Sequence, residues 1–449
     1  MMIMGTRQPP AARLALIGLC GLLFAALPAI GSQPIQQGSP APRAGGPQAA
    51  NESPAWPQWG GPHRNFMSDV TGLARSWPEA GPPQLWKREL GEGHSSIVVD
   101  EGRLYTMYRL WAEEEAVVAL DAATGKTIWE LRYPSPPLDF SFGAGPHSTP
   151  LIVGDRLFTA GTNKEIFALR KRTGEVIWSH DLVREFGAPA TLIRPAVTPG
   201  FACSPLAYNN MVIVTAGGPG QSVMAFDQAD GTVVWRNGDF LIAPSSPILI
   251  DVDGQRQLVV VGGQTVNGLD PDTGVTLWSH AHDTVGDMNI TTPVWGEGNL
   301  LFVSSAYDGG SRVLRLTRAG DETTVEELWF SRRLRVMFGS TIRLGDYIYG
   351  SSGDFGPTFI TALNINTGQV AWRERGFARA SFLYADGMVI LLDEYGTLAL
   401  AKVSPGGLKV LSWAETLEPP SWTVPTLAGT TLYLRDRRAI MALDVGPRN

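Results

Sequence analysis

Few residues in this 449-residue sequence have the type and spacing that metal chemistry requires. The closest pair of oxygen ligands is Asp287 and Asn289, a carboxylate and an amide separated by one residue. Ca²⁺ takes about six to eight oxygen ligands, and no second ligand set is evident. A solvated loop or a turn cap is the alternative interpretation of this segment. Asp287 and Asn289 therefore remain candidate metal ligands without a complete site.

Two histidines and one cysteine are the other candidates for chemistry. His94 and His147 could chelate a metal if they lay side by side, but they have no placed carboxylate. Cys203 has no evident activating base. We therefore interpret it as a small buried residue at the start of a strand. It is also the only cysteine outside residues 1–31, so no intrachain disulfide is expected there. We assign no catalytic role to any of these residues.

The elements that position these residues are built from one recurring phrase. Ala119-Leu120-Asp121-x-x-Thr124-Gly125 is followed by Trp129, ten residues after the Ala. The phrase predicts a β-hairpin in which Asp caps the turn, Gly supplies a positive φ and Trp lies on the second strand. One hairpin cannot cover a Trp, so each sheet must pack on the next. Four more copies keep the spacing of ten and end at Trp178, Trp235, Trp278 and Trp372.

The two ends of the chain carry the halves of one further repeat. Together with two degenerate copies and the strand at Trp86, eight strands carry the Trp. The first of them, at Trp86, has no partner strand before it in the sequence. The last phrase, at Ala442, has no following Trp strand. The halves complete each other if they pair in one sheet, which leaves no open edge. The sequence therefore predicts an all-β, eight-bladed β-propeller of four-stranded antiparallel blades, forming one domain over residues 55–449.

The repeated phrase resembles the signature of the PQQ-like, or quinoprotein-like, repeat family. Such repeats occur in quinoprotein alcohol dehydrogenases and in the non-enzymatic lipoprotein of the outer-membrane β-barrel assembly machinery. Resemblance to the dehydrogenases implies a quinone with calcium beneath it, an Asp base and a planar stacking partner. Trp422 is the candidate stacking residue, Arg379 the candidate cation, and Asp287 with Asn289 the nearest acidic pair. A single cysteine outside residues 1–31 excludes the adjacent-cysteine disulfide that many of those enzymes carry.

The segment 56–65 falls outside every blade. It is similar to a segment that precedes the first blade in many secreted PQQ-like proteins. Its two tryptophans, Trp56 and Trp59, require cover, so we expect it to pack on the propeller.

The long loops indicate where a ligand would bind. If the strands of each blade are named A to D from the inside, the B–C loops and D–A connections share one rim, and these are the long ones. The start of each strand A should then line the mouth of the central channel on that rim. Aligned by the turn that follows, these positions are His94, His147, Ala202, Pro244, Ile290, Phe338, Arg379 and Trp422.

The polar and aromatic members of this ring are adjacent to one another. We predict that Phe338, Arg379, Trp422, His94 and His147 form the ligand-facing arc of the mouth. The alternative is that the histidines and the arginine hydrogen-bond neighbouring backbone at the starts of the strands.

Composition and the N-terminal region indicate an exported protein. Residues 1–31 have two arginines, no acidic residue and an apolar run, which is typical of a signal peptide; a retained membrane helix is the alternative. Residues 32–54 are rich in Pro, Gly and Ala and predict a disordered linker. A net charge of −7 does not favour nucleic-acid binding. We expect a periplasmic or secreted protein with no membrane span after cleavage.

Two functions remain open on this basis. The favoured one is a non-catalytic binding or scaffold propeller that engages an envelope or secreted protein, or a small ligand, through the long-loop rim. The alternative is a diverged PQQ-dependent oxidoreductase acting on alcohols or sugars. Only the alternative requires PQQ and calcium.

Overall fold

The computed structural model describes residues 56–111, 113–137, 142–190, 201–354 and 356–447, whose regular secondary structure is almost entirely β-strand. They contain one helix, α1 (Leu182–Phe186). No helix in these ranges is long and apolar enough to cross a membrane. The predicted signal peptide, 1–31, and linker, 32–54, lie outside the described residues.

The strands form eight four-stranded antiparallel sheets, one of which gains a fifth, parallel strand. We number the sheets as blades 1 to 8. Two strands come before blade 1 in the chain: β1 (Met67–Ser68) and β2 (Gln84–Glu89).

Strands A to D of blades 1 to 4 are β3 (Val98–Asp100), β4 (Arg103–Leu110), β5 (Glu114–Asp121), β6 (Thr127–Pro134); β7 (Leu151–Val153), β8 (Arg156–Ala160), β9 (Glu165–Arg170), β10 (Val176–Asp181); β11 (Leu206–Tyr208), β12 (Met211–Thr215), β13 (Val223–Asp227), β14 (Val233–Asn237); and β15 (Ile248–Val252), β16 (Gln255–Val261), β17 (Thr265–Leu269), β18 (Thr276–Ala281). Those of blades 5 to 7, and then strands A to C of blade 8, are β19 (Val294–Gly296), β20 (Leu300–Ser305), β21 (Gly310–Ala319), β22 (Glu322–Ser331); β23 (Ile342–Leu344), β24 (Tyr347–Ser352), β25 (Phe359–Asn364), β26 (Val370–Glu374); β27 (Ser381–Ala385), β28 (Met388–Leu392), β29 (Thr397–Ser404), β30 (Gly407–Glu415); and β31 (Thr426–Ala428), β32 (Thr431–Arg435), β33 (Ala439–Asp444).

The ring closes as predicted, because β2 supplies strand D of blade 8. Trp86 of β2 lies opposite Ala442 of β33, with a β-bulge beside the pair. Trp129 and Ala119 of blade 1 have the same register and the same bulge. The blade assembled from both ends of the described chain therefore has the geometry of a blade built from one continuous segment. This confirms the all-β, eight-bladed propeller.

The turn glycine of the phrase shapes the turn of its own blade and leaves room for the tryptophan of the neighbouring blade. Gly125 has a φ of 69°, which favours glycine. A Cβ at Gly125 would also lie 2.6 Å from the ring of Trp86, which belongs to the preceding blade. The indole N–H of Trp86 donates to the carbonyl of Ala122 in the same turn, at 3.0 Å. The same glycine-to-tryptophan contact recurs at the pairs Gly174–Trp129, Gly231–Trp178, Gly274–Trp235 and Gly368–Trp329.

Blade 4 departs from this rule for a local reason. Blade 5 has no Thr-Gly turn to receive Trp278, whose indole N–H donates instead to the side chain of Gln257 in its own blade, at 2.7 Å. The ring then lies over Gly268, where a Cβ would come within 2.0 Å of the indole nitrogen. Glycine thus replaces the usual alanine of the phrase because the neighbouring turn is missing.

Residues 56–68, here called the channel segment, lie along the inner edges of the A strands. Trp56 forms a β-bridge with Val99 of blade 1, and the carbonyl of Pro57 accepts from Ile152 of blade 2. On the far side, β1 pairs in parallel with β27 of blade 7. The expectation that this segment packs on the propeller is confirmed, and its place is the central channel.

Arg64 fixes the middle of the channel segment. Its side chain is buried and donates to the carbonyls of Pro247 at 2.7 Å, Ser204 at 3.0 Å and Pro205 at 3.2 Å. Burial lowers the pKa of this guanidinium to about 9, so it is still charged at neutral pH. One cation thus joins the channel segment to blades 3 and 4 through three backbone oxygens.

Candidate functional site

The mouth of the channel contains a cavity of about 100 Å³. Seven of the eight predicted mouth positions line it, and Trp59 of the channel segment lies beneath them. The indole N–H of Trp59 donates to the hydroxyl of Thr292 at 2.8 Å, which fixes the ring under the mouth. The lining residues are Trp59, His94, Phe142, His147, Ala202, Ser204, Pro244, Ser246, Met288, Ile290, Phe338 and Trp422.

Aromatic rings form one wall of this cavity. The centroids of Phe338 and Trp422 are 4.5 Å apart, and that of His94 is 5.1 Å from Trp422. His147 continues the row, 5.1 Å from His94. Phe142 packs edge-on against Phe338 at 5.6 Å. Four of the five residues of the predicted arc are thus brought together; their role in binding a ligand remains a prediction.

Arg379, the fifth residue of the predicted arc, does not line the cavity. Its guanidinium pairs with the carboxylate of Glu394 and donates to the carbonyl of Asp354. The same Glu394 carboxylate accepts from the indole N–H of Trp422, at 3.2 Å. Arg379 therefore positions Trp422 through their shared partner, Glu394. The positive charge of Arg379 is paired with that carboxylate and does not face the cavity.

The imidazole of His94 is uncharged at neutral pH. His94 Nε2 lies 3.2 Å from the carbonyl oxygen of Phe142, so Nε2 carries the proton and donates. Nδ1 of His94 is then an acceptor, and it is buried without a partner among the described residues. Burial, then the neighbouring His147 and Arg435, hold the pKa of His94 well below its usual range. Within those residues no third ligand joins the pair to form a metal site.

A second tier of the mouth has a sequence signal that the ring alignment did not include. Two residues after each mouth position, seven of the eight blades have Ser or Thr. The hydroxyl oxygens of three of them, Thr149, Ser204 and Ser246, accept a backbone N–H group from the preceding blade, at 3.2, 2.9 and 3.0 Å. These bonds link the A strands of blades 1 to 4, and Ser204 and Ser246 line the cavity. The seven residues are Ser96, Thr149, Ser204, Ser246, Thr292, Ser340 and Ser381.

Asp287 and Asn289 do not fit the calcium site that the dehydrogenase resemblance implies. The Asn289 amide donates to the carbonyls of Gly262 and His282, and its oxygen accepts from Ser305 at 2.6 Å. Neither residue lines the cavity, whereas Met288 between them does. In the part of the chain that the structure describes, no cluster of three metal-ligating side chains occurs. We therefore derive no step through a quinone or a calcium ion.

Cys203 has the structural role expected from the sequence. It is buried, and its thiol donates to the carbonyl of Ala243. Burial raises the pKa of the thiol to about 11, so it stays protonated at neutral pH. A protonated, hydrogen-bonded thiol is a poor nucleophile.

The fold and the repeated phrase define a PQQ-like β-propeller. The chain belongs to the family described as outer membrane protein assembly factor BamB, whose model matches residues 75–139 and 113–374. A curated relative, the outer membrane protein assembly factor BamB of Yersinia pestis, is 25% identical over 222 residues. That match covers 47% of this chain, which spans about half, 48%, of the length of the relative.

Two solved structures have the same fold. BamB from Moraxella catarrhalis is 17% identical with a TM-score of 0.55, over 82% of this chain and 99% of that one. The quinohemoprotein alcohol dehydrogenase of Comamonas testosteroni is 13% identical with a TM-score of 0.61, over 89% of this chain and 82% of that one. At these identities the likeness shows the fold alone, since one fold carries both binding proteins and enzymes.

Proposed function

We propose that this protein is an exported, non-catalytic binding propeller that holds a partner at its channel mouth and long-loop rim. The observation that carries the proposal is the chemistry of the mouth cavity. Among the described residues, those that line it include no Asp, Glu, Lys or Arg. The lining therefore offers no carboxylate to bind calcium or to deprotonate an alcohol, whereas an apolar recognition pocket needs none. The family and the Yersinia pestis relative, whose printed name is an assembly factor, support a role in the cell envelope.

The rim around the mouth favours a protein as the partner. Trp111 is 93% exposed and has a φ of 28° in the loop between β4 and β5, a strained conformation for a large residue. Exposed aromatic and aliphatic side chains on loops are typical of protein-binding surfaces. Three more lie on loops of the same rim: Leu241, Val285 and Tyr395.

The rim proposal is tested by capture from envelope extract with three forms of the full-length protein. The wild type is compared with the double variant Trp111→Ser/Tyr395→Ser and with Val176→Ser/Val275→Ser. The last pair is exposed at the opposite, tight-turn rim and serves as a matched control. We expect the wild type and the control to retain the same partner and the mouth-rim variant to lose it. Equal retention by all three forms contradicts the proposal.

The alternative, a PQQ-dependent oxidoreductase, is tested with the purified protein, the quinone and calcium. An enzyme of that class gives cofactor absorbance in the protein fraction and reduces a dye with alcohols or sugars. We expect neither signal, because the described lining lacks the carboxylates that calcium and alcohol deprotonation require. Dye reduction that depends on both the quinone and calcium would overturn the proposed function.

A further inference from the structure

We infer that Arg333, Arg373 and Arg375, here called the arginine site, bind an acidic, extended segment of the partner protein at the long-loop rim. This inference rests on the proposed function and names the chemistry of the partner at the same rim. The arginine site lies where the connection that follows β22 meets the start of β25 and the end of β26. None of its three residues lines the mouth cavity.

Hydrogen bonds hold the connection from blade 5 against blade 6. The Arg335 N–H donates to the hydroxyl oxygen of Ser352 at 3.0 Å, and that hydroxyl donates to the carbonyl of Arg333 at 3.3 Å. Ser352 lies opposite Phe359 in the register of β24 and β25. The backbone of Arg333 and Arg335 is therefore fixed beside the residue opposite Phe359.

Two arginines of the site lie over the ring of Phe359. The guanidinium carbon of Arg373 is 4.0 Å from the ring centroid, and that of Arg375 is 5.3 Å from it. Burial, and then the charges of Arg333 and Arg335, lower the pKa of Arg373, so these guanidinium groups lie within electrostatic reach of one another. Contact with the ring restricts the Arg373 and Arg375 side chains, and less conformational entropy is then lost when they bind an anion.

The positive charge in this region is only partly balanced. Asp308 and Asp354 both pair with Arg335, at 3.6 and 3.4 Å. The three residues of the arginine site are exposed, and within the described ranges no carboxylate lies within 4 Å of their guanidinium groups. A bound anion would therefore offset the repulsion among three like charges.

The spacing of Arg373 and Arg375 fits an extended acidic segment. One residue separates them, so on extended backbone their side chains leave the same face about 6.5–7 Å apart. That face is turned away from blade 7, because the alternate residue Trp372 donates to the carbonyl of Ser404 in blade 7, at 2.8 Å. A segment with carboxylates at alternate positions has the same repeat, whereas a phosphate has a single anionic centre. In the described chain β26 is also the outermost strand of its sheet, which leaves its outer edge open to such a segment.

Three acetylated, amidated peptides test the charge and the spacing with the full-length protein. Their sequences are Ala-Glu-Ala-Glu-Ala, Ala-Glu-Glu-Ala-Ala and Ala-Gln-Ala-Gln-Ala, and ligand-observed NMR at low ionic strength measures their affinities. We expect the alternating Glu peptide to bind about tenfold more tightly than the Gln peptide, the effect of two exposed ion pairs, and about threefold more tightly than the adjacent-Glu peptide. About 0.5 M salt should reduce the tenfold ratio to about twofold. Equal affinities for the alternating Glu peptide and either of the others, or no binding of any peptide, overturn the inference.

Paired substitutions identify the cations that bind the peptide. Arg373→Gln/Arg375→Gln should remove the preference for the alternating Glu peptide over the Gln peptide. Arg236→Gln/Arg256→Gln, at two exposed arginines of blades 3 and 4, removes the same net charge and should keep that preference. Arg373→Lys/Arg375→Lys keeps both charges without the planar guanidinium groups and should retain about a third of the preference, which also tests the site if the Gln pair fails to fold. Equal preferences in the two Gln pairs overturn the assignment.

Two further probes distinguish other sources of the anion. Inorganic phosphate that displaces the alternating Glu peptide at an equal concentration indicates a phosphate site. Phosphatidylglycerol vesicles that bind the wild type but not Arg373→Gln/Arg375→Gln indicate a lipid surface. Either result contradicts an acidic protein segment, and we expect neither.

The outcomes also separate this inference from the proposed function. If capture from envelope extract depends on Trp111 and Tyr395 while no peptide binds, the arginine site is wrong and the rim proposal stands. If the alternating Glu peptide binds as expected while the extract yields no partner, the arginine site stands and the proposed function is wrong.

Discussion

Trp86 lies opposite Ala442 in the sheet that joins the two ends of the propeller. The same tryptophan packs on Gly125 of blade 1 and donates to the carbonyl of Ala122. One side chain thus completes blade 8 and holds it to the next blade. A closed ring buries every lateral sheet face against a neighbour, which an open array of the same blades does not.

Trp86→Ala should lower the free energy of unfolding by about 3 kcal/mol, the usual cost of removing a large packed aromatic side chain. Trp111→Ala removes the same atoms from a rim loop where the side chain is 93% exposed, and should change stability by less than about 0.5 kcal/mol. Urea unfolding followed by circular dichroism measures both. Equal effects of the two substitutions would show that the closing blade contributes no special stability.

Gly174→Ala should destabilise the protein more than Gly154→Ala. Both glycines have positive φ, 75° and 58°, so both alanines have backbone strain of about 1 kcal/mol. At Gly174 the new Cβ would also lie 2.6 Å from Trp129, whereas at Gly154 no heavy atom lies within 4 Å. We expect an additional loss of about 1–3 kcal/mol at Gly174, measured by thermal unfolding. If the two variants melt together, the contact between blades is not a constraint.

Arg64→Leu should loosen the channel segment. Its removal leaves the carbonyls of Ser204, Pro205 and Pro247 without their buried donor, at a cost of about 1–3 kcal/mol for each unsatisfied group. Hydrogen exchange of residues 56–68 should accelerate, and Arg64→Lys should fall in between because it can satisfy fewer of the three carbonyls. Arg75→Leu, which removes an exposed ion pair with Asp386, is the control and should leave that exchange unchanged.

Glu165→Gln should stabilise the protein at pH 8 and not at pH 4. Burial, and then the neighbouring Glu115, raise the pKa of Glu165 to about 7, above its ordinary value of 4.5. The folded state therefore holds a proton that the unfolded state has lost, so stability falls as the pH rises from about 4.5 to 7. Removing the charge should recover about 2 kcal/mol above pH 7.

Thermal unfolding between pH 4 and 8 measures the contribution of Glu165. Glu175→Gln, at an exposed ion pair with Arg170, is the control and should show no such gain. A wild-type melting temperature that depends on pH in the same way as that of Glu165→Gln would contradict the buried, protonated carboxyl.

The mouth of the propeller could be located from the sequence because each strand A has a fixed distance from its following turn. That spacing placed His94, His147, Phe338 and Trp422 at one cavity, since equal offsets along equivalent strands give equal depths in the channel. The orientation of Arg379 could not be obtained in this way. It depends on Glu394, which lies in the loop between β28 and β29 and has no fixed offset from strand A.

The sequence by itself determined the number of blades, their closure and the ring of residues at the mouth. It did so because the Asp, Gly and Trp of the phrase each satisfy a local requirement, a cap, a positive φ or a packed face, that repeats in every blade. Only the tertiary structure decided that residues 56–68 fill the channel, that Trp59 forms the floor of the cavity and that the charge of Arg379 is paired within the wall. Those contacts join residues far apart in the chain, and no local periodicity encodes which of them meet.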